Sequence, residues 1–419
     1  MLRLTSLLGI VAFVVLAWLL SNNRRLFPWR TVLWGLALQF FFALFILKTP
    51  VGQEMFAGAQ TACDQLNLYA NKGAAMVFGP LADGAVLTKA FGPGNGYILA
   101  IGVPATIIFI SSLSSLLYHW GVLQRVVAGM AWVMQKAMRT SGSESLAGAA
   151  NIFLGQTEAA LLIKPYLAKM TQSEVMALMT TGMSTIATGV MAVYASMPGV
   201  SAGHIVTASV LGAPAGLLVA KVMFPETEKS ETGALHHFGV KRTAVNSIDA
   251  LCTGASEGVM LSIVIIGMLI AFVAMVALLN GLLTWPQHAA GVLEPVTLQR
   301  LLGWINAPVA WLMGVPAKDC SVIGQMLGER IVLNEFVSYL DLSGFVQGHP
   351  GQLAERSMTL ASYALCGFAN FGSIAIQIGG IGALAPDRRH DLARLGLRSM
   401  VAGLIACYLF ASVVGVLID

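Results

Sequence analysis

Apolar runs about as long as a bilayer's hydrocarbon core recur along this 419-residue chain, and they restrict its fold more than any other feature. Roughly 20 residues of helix cross roughly 30 Å of hydrocarbon. Residues 4–21, 31–47, 97–119, 173–197, 205–224, 259–285, 359–381 and 395–418 each approach that length. Backbone amides find no water inside a bilayer, so only helices and closed barrels cross it. The alternating segments of ~10 residues that build a barrel are absent. These runs therefore predict an all-α integral membrane protein with eight transmembrane helices. Composition agrees, at 57% hydrophobic and 11% charged residues, against roughly 25% charged in soluble domains. No small-residue cleavage site follows residues 4–21, so this run is read as the first span and not as a signal peptide.

The loops orient the spans. Arg24, Arg25 and Arg30, then Arg125, Lys136 and Arg139, then the mixed-charge loop 225–246, then Arg388, Arg389, Arg394 and Arg398 all fall on one side when spans are counted in order. The positive-inside rule makes that side cytoplasmic. A formal charge of +4 is explained by these loops and points to no nucleic acid polymer as partner. Three further stretches, 51–90, 126–138 and 298–313, mix polar and apolar residues and read as interfacial helices. The His236-His237 pair has no carboxylate or cysteine at ligand spacing and reads as solvated loop. Cys63, Cys252, Cys320, Cys366 and Cys407 are isolated, without zinc or redox spacing, and read as buried small residues.

Against this background two polar stretches stand out, Asn151-Ile-Phe-Leu-Gly-Gln-Thr-Glu158 and Gly328-Glu-Arg-Ile-Val-Leu-Asn-Glu335. A charge near the bilayer centre costs at least about 2.5 kcal/mol, and such residues usually line a pathway or site. Each stretch lies in a segment whose two arms are too short to cross, which predicts two re-entrant hairpins. Each is followed by a span interrupted by Gly and hydroxyl or amide groups, Thr180–Gly189 in one and Cys366–Ser373 in the other. Hairpin, broken span and full span thus occur twice, over 141–224 and 318–419, and parity makes the second copy inverted relative to the first. In transporters such repeats place substrate and ion sites at the midplane, between discontinuous helices. Ser, Thr and Gly also serve as helix-packing residues in membranes, but packing does not explain glutamates at matched positions, Glu158 and Glu335.

Three longer motifs carry a resemblance: Gly155-Gln-Thr-Glu-Ala-Ala-Leu-Leu-Ile-Lys-Pro-Tyr-Leu167, Asn334-Glu-Phe-Val-Ser-Tyr339 and Ser362-Tyr-Ala-Leu-Cys-Gly-Phe-Ala-Asn-Phe-Gly-Ser-Ile374. In this order they resemble the concentrative nucleoside transporters, in the eight-span bacterial form, over essentially the whole chain. The resemblance implies a homotrimer in the bacterial inner membrane that imports nucleosides with a cation by an elevator-type motion, and no enzyme. It implies a division of the chain into a mainly scaffold part (1–140), a first transport repeat (141–224), a cytoplasmic loop with span six and an outer surface helix (225–317), and a second transport repeat (318–419). Carried over by motif, Gln156, Thr157 and Glu158 face the nucleobase, Phe368 packs on it, Val190 adds apolar contact, and Glu335, Asn370 and Ser373 hold the ribose. Sodium would be held by the carbonyls of Asn151, Leu154 and Ile186 with the hydroxyls of Thr157 and Thr185.

The chemistry of these side chains suits the assignment, since amides and carboxylates match the edges of a base and the hydroxyls of a sugar, and an aromatic ring offers a face. The sequence departs from the family at Ala160, where relatives commonly have Pro, at Lys164, where they have Arg, and at Glu329-Arg330, where they have Thr-Lys. The last change puts a charged pair at the expected tip of the second hairpin and leaves a proton open as the coupling ion. Two other readings compete: a symporter of another polar solute on the same plan, and an intramembrane enzyme using the two glutamates as acid and base. The first has no basic residue in either span break to meet an anion, and the second lacks a nucleophile or metal constellation.

Overall fold

The computed structural model of the chain describes residues 1–92, 96–232 and 244–419; the His236-His237 pair lies outside them. About 80% of the described residues are helical, and no strand occurs among them. The helices are α1 (Leu2–Leu19), α2 (Trp29–Lys48), α3 (Pro50–Phe78), α4 (Gly84–Phe91), α5 (Leu99–His119), α6 (Val122–Met138) and α7 (Gly142–Ala150). They continue with α8 (Gln156–Leu162), α9 (Lys164–Leu167), α10 (Gln172–Met183), α11 (Thr188–Ala195), α12 (Ala202–Met223) and α13 (Ser247–Ala289). The remainder are α14 (Leu298–Leu312), α15 (Cys320–Val332), α16 (Glu335–Gly348), α17 (Glu355–Leu365), α18 (Phe371–Leu384) and α19 (Arg389–Leu417).

Both expected hairpins are present. The first is α7 and α8 around the turn 151–155, and the second is α15 and α16 around Leu333 and Asn334. Both expected breaks are present too, at 184–187 between α10 and α11 and at 366–370 between α17 and α18. Local chemistry sets the starts. Ser141 with Glu144, and Thr171 with Glu174, form matched capping boxes at the starts of α7 and α10, each satisfying two otherwise orphaned amides. Lys221 near the end of α12 reaches 2.7 Å from Glu144 and 2.9 Å from Ser173, tying these starts together.

The two repeats interlock. The broken span of each packs against the full span of the other, α10 on α19 and α17 on α12, and the full spans pack on each other. Likewise α8 of the first hairpin lies on α18, and α16 of the second meets α11 through Tyr194 against Phe336 and Tyr339. The breaks cross at close range, with the Phe368 N–H donating to the Thr185 carbonyl at 3.3 Å. A Cβ on Gly367 would come within 2.7 Å of the Met183 carbonyl oxygen, so glycine permits this crossing.

Burial separates inner from outer helices. The most apolar window of α12 is 89% buried and that of α13 only 12%, although α13 is the more apolar. An apolar helix with so little protein around it faces lipid or another chain. Eight helical stretches are long and apolar enough to span a membrane, but they are not the eight runs read from sequence. The eight include Gln172–Ala195 across its break but not residues 359–381, where α17 is 11 and α18 14 residues long. The stretch Pro50–Phe91, expected at the interface, enters because α3 and its continuation are long enough to cross.

Candidate functional site

One cavity gathers all eight expected substrate residues, Gln156, Thr157, Glu158, Val190, Glu335, Phe368, Asn370 and Ser373. They come from both hairpins and both broken spans, which the repeat crossing brings to one place. Four helix N-termini border the cavity, those of α8, α11, α16 and α18. A helix N-terminus leaves amides without intrahelical partners and carries a partial positive charge. Asn334 and Asn370 cap two of them, their side-chain oxygens accepting from the Val337 N–H at 3.0 Å and the Ser373 N–H at 2.8 Å.

Glu335 is buried and doubly held. Its Oε1 accepts from the Tyr194 hydroxyl at 2.9 Å and its Oε2 from the Asn370 amide at 2.9 Å. A carboxylate so fixed keeps lone pairs free for further donors. Glu158 sits differently. It is exposed, its Oε2 accepts from the neighbouring Thr157 hydroxyl at 3.2 Å, and Glu257 of α13 lies within electrostatic range. A Cβ on Gly155 would fall 2.1 Å from Glu158 Oε2, so glycine at the hairpin tip lets this carboxylate fold over it. Gln156 Oε1 accepts from Gln377 Nε2 at 2.9 Å, tying the first hairpin to α18.

Sequence reasoning missed Tyr194, Gln377 and the apolar wall contributed by α13, Leu261, Val264, Ile265 and Met268. Tyr194 had a signal, since it lies four residues after Val190 and so shares its helix face. The wall had none, because residues 259–268 of α13 are apolar on nearly every face. The expected charged pair at the second hairpin's tip is also relocated. Asn334 caps α16, so the tip is at Leu333 and Asn334, while Glu329 and Arg330 lie in the last turn of α15 and are buried.

The five expected sodium ligands divide between the first tip and the first break. These stretches are bonded together: Thr188 donates to the Phe153 carbonyl, and Asn151 Nδ2 to Thr181 Oγ1 at 3.2 Å. No described donor is hydrogen-bonded to the carbonyls of Asn151, Leu154 or Ile186. Asn151 Oδ1 and Thr180 Oγ1 are buried without partners. Oxygens left without donors suit a hard cation, which takes oxygen ligands. A larger cavity of about 590 Å³ lies around Arg139, Glu144, Lys221 and Glu226, but Glu144 and Glu226 there are already paired with Lys221.

Two helical hairpins and two crossed broken spans around one cavity are the arrangement of secondary transporters built from discontinuous helices. The sequence matches the profiles of the Na+-dependent nucleoside transporter N-terminus over residues 8–81, the nucleoside-recognition Gate over 100–201 and the Na+-dependent nucleoside transporter C-terminus over 204–415. The chain belongs to this nucleoside transporter family, and it is a transporter, not an enzyme. Among its relatives are an uncharacterized transporter of Haemophilus influenzae, 42% identical over 99% of this chain and 98% of that one, and the nucleoside permease NupC of Helicobacter pylori, 36% identical over 99% and 98%. The sodium/nucleoside cotransporter 1 of Rattus norvegicus is 39% identical over 99% of this chain and 64% of its own length. The fold matches CNTnw in an inward-facing substrate-bound state with a TM-score of 0.92 at 37% identity, covering 99% of this chain and 98% of that one. With eight helical stretches long and apolar enough to span a bilayer, and membrane permeases among its relatives, the protein is a multi-pass membrane protein.

Proposed function

We propose that this protein is a sodium-coupled nucleoside symporter, working as a homotrimer whose transport domain moves past a scaffold. The observation that carries it is the doubly held Glu335 beside Asn370, in one cavity with Gln156, Thr157 and Glu158. The first group is suited to vicinal sugar hydroxyls and the second to the donor and acceptor edges of a base. Phe368 and Val190 supply the apolar face between them. Gln156 and Glu158 would read the base, while Asn370 and Ser373 would share the ribose with Glu335.

The site lies between the interlocked repeats and α13, an outer helix, so one wall comes from outside the repeats. That arrangement suits an elevator in which 141–224 and 318–419 carry substrate along a scaffold drawn from 1–140 and 225–317. Substituted variants of CNTnw have been solved in outward-facing and intermediate states beside the inward-facing one, which supports such a motion. Sodium at Asn151, Leu154, Ile186, Thr157 and Thr185 would couple directly to substrate. It would order the tip that presents Gln156 and Glu158, and linkage requires nucleoside to tighten sodium by the same factor.

Uptake of a nucleoside panel into proteoliposomes, with sodium replaced by choline at two pH values, tests the proposal. Sodium-dependent, saturable accumulation is expected; its absence for every nucleoside would overturn it. Thr185→Val separates the ion from the substrate. Thr185 donates only to the Thr181 carbonyl, at 2.9 Å, so the near-isosteric change costs about 1 kcal/mol of stability. Sodium activation should move to much higher concentration while binding at saturating sodium persists. Unchanged sodium activation counts against this ligand set.

A further inference from the structure

Glu329 takes no part in the cavity described above, yet its side chain is only 3% exposed. Its Oε1 accepts from Gln325 Nε2 one turn earlier, at 3.2 Å. Its Oε2 is buried with no donor. The carboxyl group within hydrogen-bonding reach is that of Asp341, on the other arm of the hairpin, and Asp341 is exposed. The neighbouring charged groups are engaged elsewhere or not in contact. Arg330 donates to carbonyls at the α17 break, and Glu335 is held by Tyr194 and Asn370. On the elements packed against α15, Arg300 of α14 pairs with Glu294, Arg356 of α17 binds the Gly314 and Gly415 carbonyls, and Asp319 accepts from Ser357. Lys318 reaches only the Gln352 carbonyl, and Glu355 makes no contact with Glu329.

Two ionised carboxylates in contact, one of them buried and with no cation between, repel each other strongly, and such pairs keep a proton. The geometry points to a proton-binding site in the second hairpin: Glu329 holds a proton that it donates to the Asp341 carboxylate, and Asp341 is the route by which that proton exchanges with the outside. A metal ion does not fit, because it needs about six oxygens and the pair supplies two groups in direct contact. The proton is a clasp, joining α15 to α16 across the hairpin. When it leaves, both carboxyls are charged, and the arms that hold Asn334 and Glu335 at the cavity are pushed apart.

The function of the clasp rests on the nucleoside-transport reading, but its existence does not, and the test separates them. Infrared difference titration of the purified protein should show a protonated carboxyl stretching band at about neutral pH, well above the ordinary carboxylate range of about 4. Glu329→Gln, which keeps a donor toward Asp341 and so retains the clasp, should remove that band without loss of thermal stability. Asp341→Asn should shift it. At saturating sodium, wild-type nucleoside uptake should fall as the pH rises through the band's midpoint, by no more than about tenfold per pH unit, and Glu329→Gln should flatten this fall. Absence of the band, or its persistence in Glu329→Gln, overturns the site. An unchanged pH profile in Glu329→Gln overturns its role in gating. A band present in a protein that transports no nucleoside sinks the transport reading and leaves the acid pair standing.

Discussion

Glu335→Gln is expected to abolish nucleoside uptake while leaving the protein folded. The substitution keeps shape and volume, and the amide can still meet the Tyr194 hydroxyl, which rotates to accept as readily as it donates. What is lost is the charge. A hydrogen bond to a charged group is worth about 1.5–3 kcal/mol, and a ribose presents two vicinal hydroxyls. At about 1.4 kcal/mol per tenfold, losing charge assistance from both lowers affinity by roughly two to four orders of magnitude. Asn370→Ala should act in the same direction. It also uncaps α18, adding about 0.5–2 kcal/mol of destabilisation, so it should melt earlier where Glu335→Gln does not. Radiolabelled uridine uptake, nucleoside binding by calorimetry and thermal unfolding of the same preparations distinguish these outcomes. Near wild-type binding by Glu335→Gln would remove that residue from the site.

That such a test can be framed from sequence reflects how membrane chains encode sites. Polar groups and glycines inside apolar runs are costly, so the turn 151–155 and the breaks at 184–187 and 366–370 were legible before any coordinates. Other features stayed hidden for physical reasons. The α13 helix begins at Ser247, ahead of the run read from residue 259, because Asp249 and Glu257 interrupt the hydropathy while the helix continues. Tyr194 and Gln377 look like ordinary span residues, and their worth comes from partners far away in sequence, Glu335 and Gln156. Charge is a poor marker of the second tip, since Glu329-Arg330 points to it too early. The better signal was Asn334 followed by Glu335, an N-cap with an acidic first turn, which moves the tip past Arg330 and turns that residue from a gate charge into an internal strut.

As a strut, Arg330 carries the other large effect. Its side chain is fully buried and its guanidinium donates to the Ala364 and Gly367 carbonyls, the Gly367 contact at 3.2 Å, with Cys407 Sγ at 3.1 Å. Those carbonyls belong to the interrupted end of α17, where helix termination leaves acceptors unpaired and a partial negative charge. Arg330 also lies within electrostatic range of Glu335, so a single cation steadies the break and the carboxylate proposed to hold the sugar. Arg330→Met fills the volume and removes every donor. Each orphaned carbonyl then costs about 1–3 kcal/mol, and Phe368, Asn370 and Ser373 lose the segment that positions them. Lower thermal stability and loss of nucleoside binding are both expected. Arg330→Lys keeps the charge but presents it as a single ammonium without the planar fork, so it should recover stability more fully than affinity. Equal nucleoside affinity in wild type and Arg330→Met would show that the break is held by packing alone.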